Sequence, residues 1–279
     1  MDRRDFFKRA ASGLALAGTS RLLAPIAVSP FLLPATAEAR TISGVSYGAN
    51  ALDIYTSGND NAPVMIYVHG GAWRAGSRGR VGAQPEFYKR MGYVFVSVGY
   101  TLYPAADVER QVREIAQAVN WVRSNISKYG GDPTRIALSG HSAGCHLACM
   151  AALSGLASGV KALFANDTAA YDVAYLASIN GDSLPALYAR PFSNRSKWVN
   201  WSPYNYAGNS QRFPVLVAWS GGRNRDRISK RFADKLEGAG YPVSRFDGSS
   251  YNHISIQNAM GRSGDRLSAA MERFLKSSV

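Results

Sequence analysis

The chain has 279 residues, 46% of them hydrophobic and 18% charged, with a formal net charge of +13. That apolar content suits one large globular domain and excludes a disordered chain. The basic excess is spread along the sequence, and no basic helix or aromatic-interleaved basic motif stands out, so no nucleic-acid partner is expected.

Residues 1–39 read as an address. Arg3 and Arg4 precede Phe-Phe-Lys, a mild Ala/Gly/Leu run follows, and the stretch ends in Ala-rich "ATAEA". This resembles a twin-arginine export signal with a small-residue cleavage site, so the twin-arginine export machinery is an expected partner and the destination is periplasmic or secreted. Arg21, Pro25, Pro30 and Pro34 interrupt the stretch and argue against a spanning helix. Residues 40–279 are expected to form the catalytic domain.

From residue 51 onward, apolar runs alternate with helical patterns. Residues 51–57 suit an antiparallel edge strand. Residues 64–70, 93–100, 135–142, 173–181 and 214–222 read as strands buried on both faces, with 241–248 a weaker candidate. Between them, residues 107–130 place Val112, Ile115, Ala116, Val119 and Val122 on one stripe, and residues 227–240 do the same with Ile228, Phe232 and Leu236. A last helix is expected over about 266–276. Strands alternating with helices predict an α/β fold: a mostly parallel twisted sheet with helices on both faces.

Two glycine-bearing motifs follow strand patterns. "GHSAG" (residues 140–144) is a Gly-x-Ser-x-Gly stretch between a strand and a small-residue helix. Such an elbow exposes the Ser142 hydroxyl on a strained turn and aims the Ala143 backbone N–H at any oxyanion. "HGGAW" (residues 69–73) follows an earlier strand, and its paired glycines suit Gly70 and Gly71 as further oxyanion donors. Both Cys145 and Cys149 lie on the helix after the elbow. Their spacing with His141 and His146 has a metal-like look, but the plainer reading is two small buried hydrophobes.

A serine nucleophile needs a base, and the chain has four histidines. His69 belongs to the Gly-rich turn, His141 adjoins the serine with its side chain expected to point away, and His146 lies on the following helix. His253 remains, in a stretch read as a loop beyond the last strand and before the last helix, and is the expected base.

Taken together, "HGGAW", "SVGYTLYP" (97–104), "GGDPTRIALSGHSAGCHLA" (130–148), "WSPYNYA" (201–207) and "NHISI" (252–256) resemble the α/β-hydrolase superfamily. The resemblance is to its hormone-sensitive-lipase-like carboxylesterases and kynurenine formamidases. It implies Ser142 as nucleophile, His253 as base, Gly70, Gly71 and Ala143 as oxyanion donors, and Asp132 of "GGDP" as structural. The acid is the departure. The family's usual place, just past the strand of residues 214–219, falls on Asn224, which carries no charge. Asp226 is the first choice, Asp182 a second, and a water-bridged Asn224 or no acid at all a third; Asp226 also suits an N-cap. Residues 182–213 are too few for a large lid. The implied activity is hydrolysis of small carboxylic esters through an acyl-enzyme, without metal or organic cofactor. An arylformamidase, or a non-catalytic binding protein on the same fold, is the alternative.

Overall fold

A computed structural model describes residues 38–279, except 49 and 210. The export signal expected over residues 1–39 thus lies almost wholly outside the described residues. No helix among them is long and apolar enough to cross a membrane.

Eight strands form one sheet: β1 (Thr41–Ser46), β2 (Ala51–Tyr55), β3 (Ala62–Val68), β4 (Val94–Val98), β5 (Gly131–His141), β6 (Val160–Asn166), β7 (Val215–Ser220) and β8 (Val243–Gly248). Their order across the sheet is β1-β2-β4-β3-β5-β6-β7-β8. The pairs β1/β2 and β2/β4 are antiparallel, and every later pair is parallel. Residues 51–57 therefore do supply an antiparallel strand, but β1 covers it and takes the edge.

The two-residue period of the strands divides the core. Val64, Ile66 and Val68 of β3 and Val94, Val96 and Val98 of β4 face one hydrophobic layer, while Met65, Tyr67 and Phe95 face the other. The first layer is closed by α2 (Val108–Asn125), α3 (Ala143–Leu153) and α6 (Arg225–Gly238), and the second by α1 (Gln84–Arg90), α7 (His253–Ala259) and α8 (Arg266–Ser278). The stripe expected on α2 is buried in full, as are Ile228, Phe232 and Leu236 of α6. Asp107 starts α2 by accepting the Arg110 backbone N–H at 2.8 Å.

One sequence expectation fails here, and one strand of the parallel sheet was not expected. Residues 173–181 form no strand; they hold the short helix α4 (Val173–Ser178), N-capped by Asp172. Val173, Leu176 and Ala177 are its buried residues, a three-and-four spacing that a helix face satisfies. The strand between β5 and β7 is instead Val160–Asn166, whose pattern is broken by exposed Lys161. Residues 182–213 contain α5 (Ala186–Ala189) and two 3₁₀ turns, so nothing the size of a large lid is built there.

Candidate active site

The parallel strands all end at one edge of the sheet, where crevices form beside the carboxyl ends of strands. Four of these ends meet. β3 delivers His69, Gly70 and Gly71; β5 delivers Ser142; β6 delivers Asp167; and the turn after β8 delivers His253.

Ser142 sits at φ 57° and ψ −122°, between β5 and α3. A serine at positive φ costs of order 1–3 kcal/mol and persists only where the surroundings dictate it. They do so here. A Cβ on Gly140 would stand 2.3 Å from the Gly144 carbonyl oxygen, and one on Gly144 would stand 2.1 Å from that of Val68. Only glycine lets β5, the elbow and β3 approach this closely. The result leaves the Ser142 hydroxyl on the wall of the cavity, next to the first turn of α3. The N–H groups of that turn have no partner within the helix, and the helix dipole makes its end positive.

Ser142 Oγ lies 3.0 Å from His253 Nε2, and His253 Nδ1 lies 2.7 Å from Asp167 Oδ2. Because an ionised carboxylate can only accept, the imidazole donates from Nδ1 and is left to accept the serine proton at Nε2. His253 is the first residue of α7. The Asn252 side chain caps that helix by accepting the Ile254 and Ser255 N–H groups, which fixes the position of the ring's backbone.

The carboxylate beside His253 is thus Asp167, which sequence reasoning missed. Asp167 follows β6 directly and has φ 55°, a left-handed conformation that Asp tolerates better than most residues. It is fully buried. Burial by itself would raise its pKa, but the hydrogen bond from His253 and the charge of Arg225 outweigh that and hold the carboxyl down at about 2. Arg225 Nη1 donates to both Oδ1 and the backbone oxygen of Asp167 at 3.2 Å, and the Ser220 N–H donates to Oδ1 at 3.1 Å. The expectation of Asp226 is corrected by these contacts. Asp226 lies in the first turn of α6, with its side chain 55% exposed and 3.6 Å from Lys230. Nor is it the cap: α6 begins at Arg225, and Asn224, at φ 59°, is its N-cap residue. Asp182 is exposed, and the His253 ring bonds Asp167 and Ser142 rather than Asp182 or Asn224. The loop after β7 supplies Arg225 and the end of β6 supplies the carboxylate that meets His253. The available signal was the sequence "ANDT" at the end of an apolar run, hidden because that run was not recognised as a strand.

The glycine turn after β3 is also held from within. Gly71, Ala72 and Trp73 have successive φ values of 131°, 52° and 62°. The Trp73 side chain, almost completely buried, anchors this reversal by donating from Nε1 to His146 Nδ1 at 3.3 Å. His146 in turn donates from Nε2 to the Trp201 carbonyl at 2.7 Å, and burial drives its pKa down to about 4. His69 Nδ1 bonds the Gly70 carbonyl at 2.8 Å, and its ring stacks on Tyr100 at 4.4 Å. A peptide's C=O and N–H point in opposite directions. Holding the Gly70 carbonyl at His69 therefore turns the Gly71 N–H the other way. Gly70 itself is close enough to Ser142 that an added Cβ would meet the serine Cβ at 3.2 Å.

The His141 side chain, expected to point away from that of Ser142, instead lines the same cavity. Its ring centroid lies 4.6 Å from that of His253, and its Nε2 bonds the His253 carbonyl at 2.9 Å. Burial, with the neighbouring His253, lowers its pKa to about 3, so it stays neutral. His141, Asp167 and His253 offer ligand atoms within 4.8 Å of one another. A metal there would have to break the His253–Asp167 bond beside the positive charge of Arg225, and the donor set does not fit one. Cys145 and Cys149 are buried on α3, and Cys145 Sγ lies 3.5 Å from the Tyr171 hydroxyl. Trp73, Tyr100 and Trp198 are packing residues, none of them on the cavity wall. Asp132 accepts from Thr134 and Arg135 and ties down the start of β5.

A family profile described as BD-FAE matches residues 52–181. The chain is 38% identical over 126 residues to the esterase LipQ of Mycobacterium tuberculosis, an alignment covering 40% of this chain and 29% of LipQ. It thus spans under a third of that relative's length. It is 29% identical over 238 residues to a kynurenine formamidase of Danio rerio, covering 78% of this chain and 76% of that one. Among solved structures, a truncated carbohydrate esterase from gut microbiota superposes with a TM-score of 0.70 at 18% identity, covering 87% of this chain and 97% of that one. The thermophilic carboxylesterase EstE1, cloned from a metagenomic library, gives 0.64 at 23% identity, covering 87% of this chain and 88% of that one. The fold is that of the α/β-hydrolases.

Proposed function

We propose that the chain is a serine hydrolase that cleaves small carboxylic esters through an acyl-enzyme. One observation carries this: Ser142 Oγ, His253 and Asp167 form a continuous line of hydrogen bonds, 3.0 Å and then 2.7 Å, at the cavity wall. The serine hydroxyl attacks the ester carbonyl carbon as its proton passes to His253 Nε2. The carbonyl oxygen takes up the negative charge and is met by the N–H groups of Gly70, Gly71 and Ala143. As the C–O bond to the alcohol breaks, His253 returns the proton to the leaving oxygen. Water, deprotonated by the same nitrogen, then releases the acid and restores Ser142. Asp167 holds the tautomer and stabilises the imidazolium. Arg225 keeps Asp167 ionised and oriented.

The carboxylate of Asp167 beside His253 supports catalysis over the non-catalytic binding role that an uncharged Asn224 in the acid's place suggested. The esterase relatives support the ester reading. The length of the alignment with the Danio rerio kynurenine formamidase supports a second one, hydrolysis of an N-formyl arylamine by the same groups. Side-by-side kinetics on p-nitrophenyl acetate and N-formylkynurenine decide between them. We expect kcat/KM to be higher for the ester; a formamide preferred by tenfold or more makes the chain an arylformamidase, and turnover of neither rejects both.

A further inference from the structure

The cavity at Ser142, of about 880 Å³, carries charge of one sign. Arg74, Arg80 and Arg262 line it, and no aspartate or glutamate does. Some arginines elsewhere meet carboxylates, as Arg78 meets Asp53 at 2.8 Å, Arg135 meets Asp132 at 2.8 Å and Arg231 meets Asp172 at 3.0 Å, while others such as Arg90 and Arg123 form no ion pair among the described residues. The three at the cavity have no ion pair among the described residues. Asp167 does not neutralise them, because it is buried against Arg225. The three belong to one wall. The segment of residues 74–83 touches the turn after α7, where a Cβ on Gly261 would stand 2.7 Å from the Ala83 carbonyl. Arg74 is half-buried, while Arg80 and Arg262 are exposed.

We propose that the ester taken by this site carries a negative charge, on its acyl or its alcohol part, and that Arg74, Arg80 and Arg262 bind it. This rests on the hydrolase reading above and narrows it. A guanidinium fork matches a carboxylate or similar oxyanion with paired N–H donors. Three like charges in a cleft also raise the local concentration of an anionic ligand, an effect that salt screens. A neutral ester draws on neither contribution.

Two matched pairs test this. The first sets the p-nitrophenyl monoester of adipic acid against p-nitrophenyl hexanoate, placing the charge on the acyl side. The second sets para-acetoxybenzoate against para-acetoxybenzamide, placing it on the leaving group. In at least one pair we expect the anion to have a kcat/KM about tenfold or more higher at low ionic strength, with the advantage shrinking in about 0.5 M salt. The variant Arg74→Gln/Arg80→Gln/Arg262→Gln is expected to lower that anion-to-neutral ratio about tenfold. Should it not fold, Arg262→Gln alone, at an exposed position, must lower the ratio about threefold. Hydrolysis without preference for the anion in either pair, or a preference the arginine variants leave intact, overturns the proposal while the hydrolase reading stands. No turnover of any of the four esters overturns both.

Discussion

Asp167 and Asp226 differ in every physical respect that decides whether a carboxylate can serve a histidine. Asp167 is buried, ionised down to about pH 2, and 2.7 Å from His253 Nδ1. Asp226 is exposed, and its ion-pair partner is the half-exposed Lys230 at 3.6 Å. Asp167→Asn keeps the shape but presents an amide to the imidazole and undoes the tautomer. In the serine-protease template that change costs ~10⁴ in turnover, so a loss in kcat of at least ~10² is expected here. Asp226→Asn should keep kcat within about twofold, since surface ion pairs contribute little. Steady-state kinetics of the two variants check this, and the reverse ranking would contradict the assignment. Ser142, His253 and the glycine pair were legible because each belongs to a short local pattern. Asp167 was not, because the chain carries no local mark for an acid that only the β6–β7 neighbourhood brings to His253.

At the scale of elements, the site is held by close approach of backbone. The Gly-x-Ser-x-Gly elbow was readable as a strand–turn–helix. That Gly144 is pinned by β3 was not, since it depends on β3 and β5 lying side by side. Gly144→Ala would drive a Cβ to 2.1 Å from the Val68 oxygen and 2.5 Å from that of His69. The strands must part, at a cost of about 1–3 kcal/mol, and the turn that carries Gly70 and Gly71 moves with them. Gly238→Ala, near the end of α6 with nothing within 4 Å of the new Cβ, should instead stabilise by about 0.5–1 kcal/mol. Opposite shifts in urea midpoint are the expected outcome; equal shifts would show that the elbow is not tightly packed. The same elements show where periodicity misleads. Six residues of α4 contain enough apolar side chains to read as a buried strand, and Lys161 conceals a real one in β6.

Over the described residues, the parallel sheet and its flanking helices were readable from the alternation of apolar runs with helical stripes. Strand order was not, because it depends on non-local pairing. The burial of three histidines was equally hidden, and it sets an acid response. Burial lowers the pKa of His69, of His141 to about 3 and of His146 to about 4, each from 6.5. Folded-state values below the unfolded one mean that unfolding takes up protons. Their contribution to stability is therefore fully present above pH 6.5 and is lost progressively below it. Asp167, lowered from 3.8 to about 2, contributes its own loss only below pH 4. Chemical denaturation between pH 6.5 and 5.5, above most carboxylate titration, should show stability falling by about 1.4 kcal/mol per proton per pH unit. A flat profile there would mean that the histidines are protonated in the folded chain.

The central claim is that Ser142 is a nucleophile activated by His253 and Asp167. Treatment with a fluorophosphonate, followed by intact mass and peptide mapping, tests it most directly. The account predicts one adduct per chain, on Ser142, with no labelling of Ser142→Ala and much slower labelling of Asp167→Asn. Wild-type protein that stays unlabelled, or an adduct on any other residue, would contradict it.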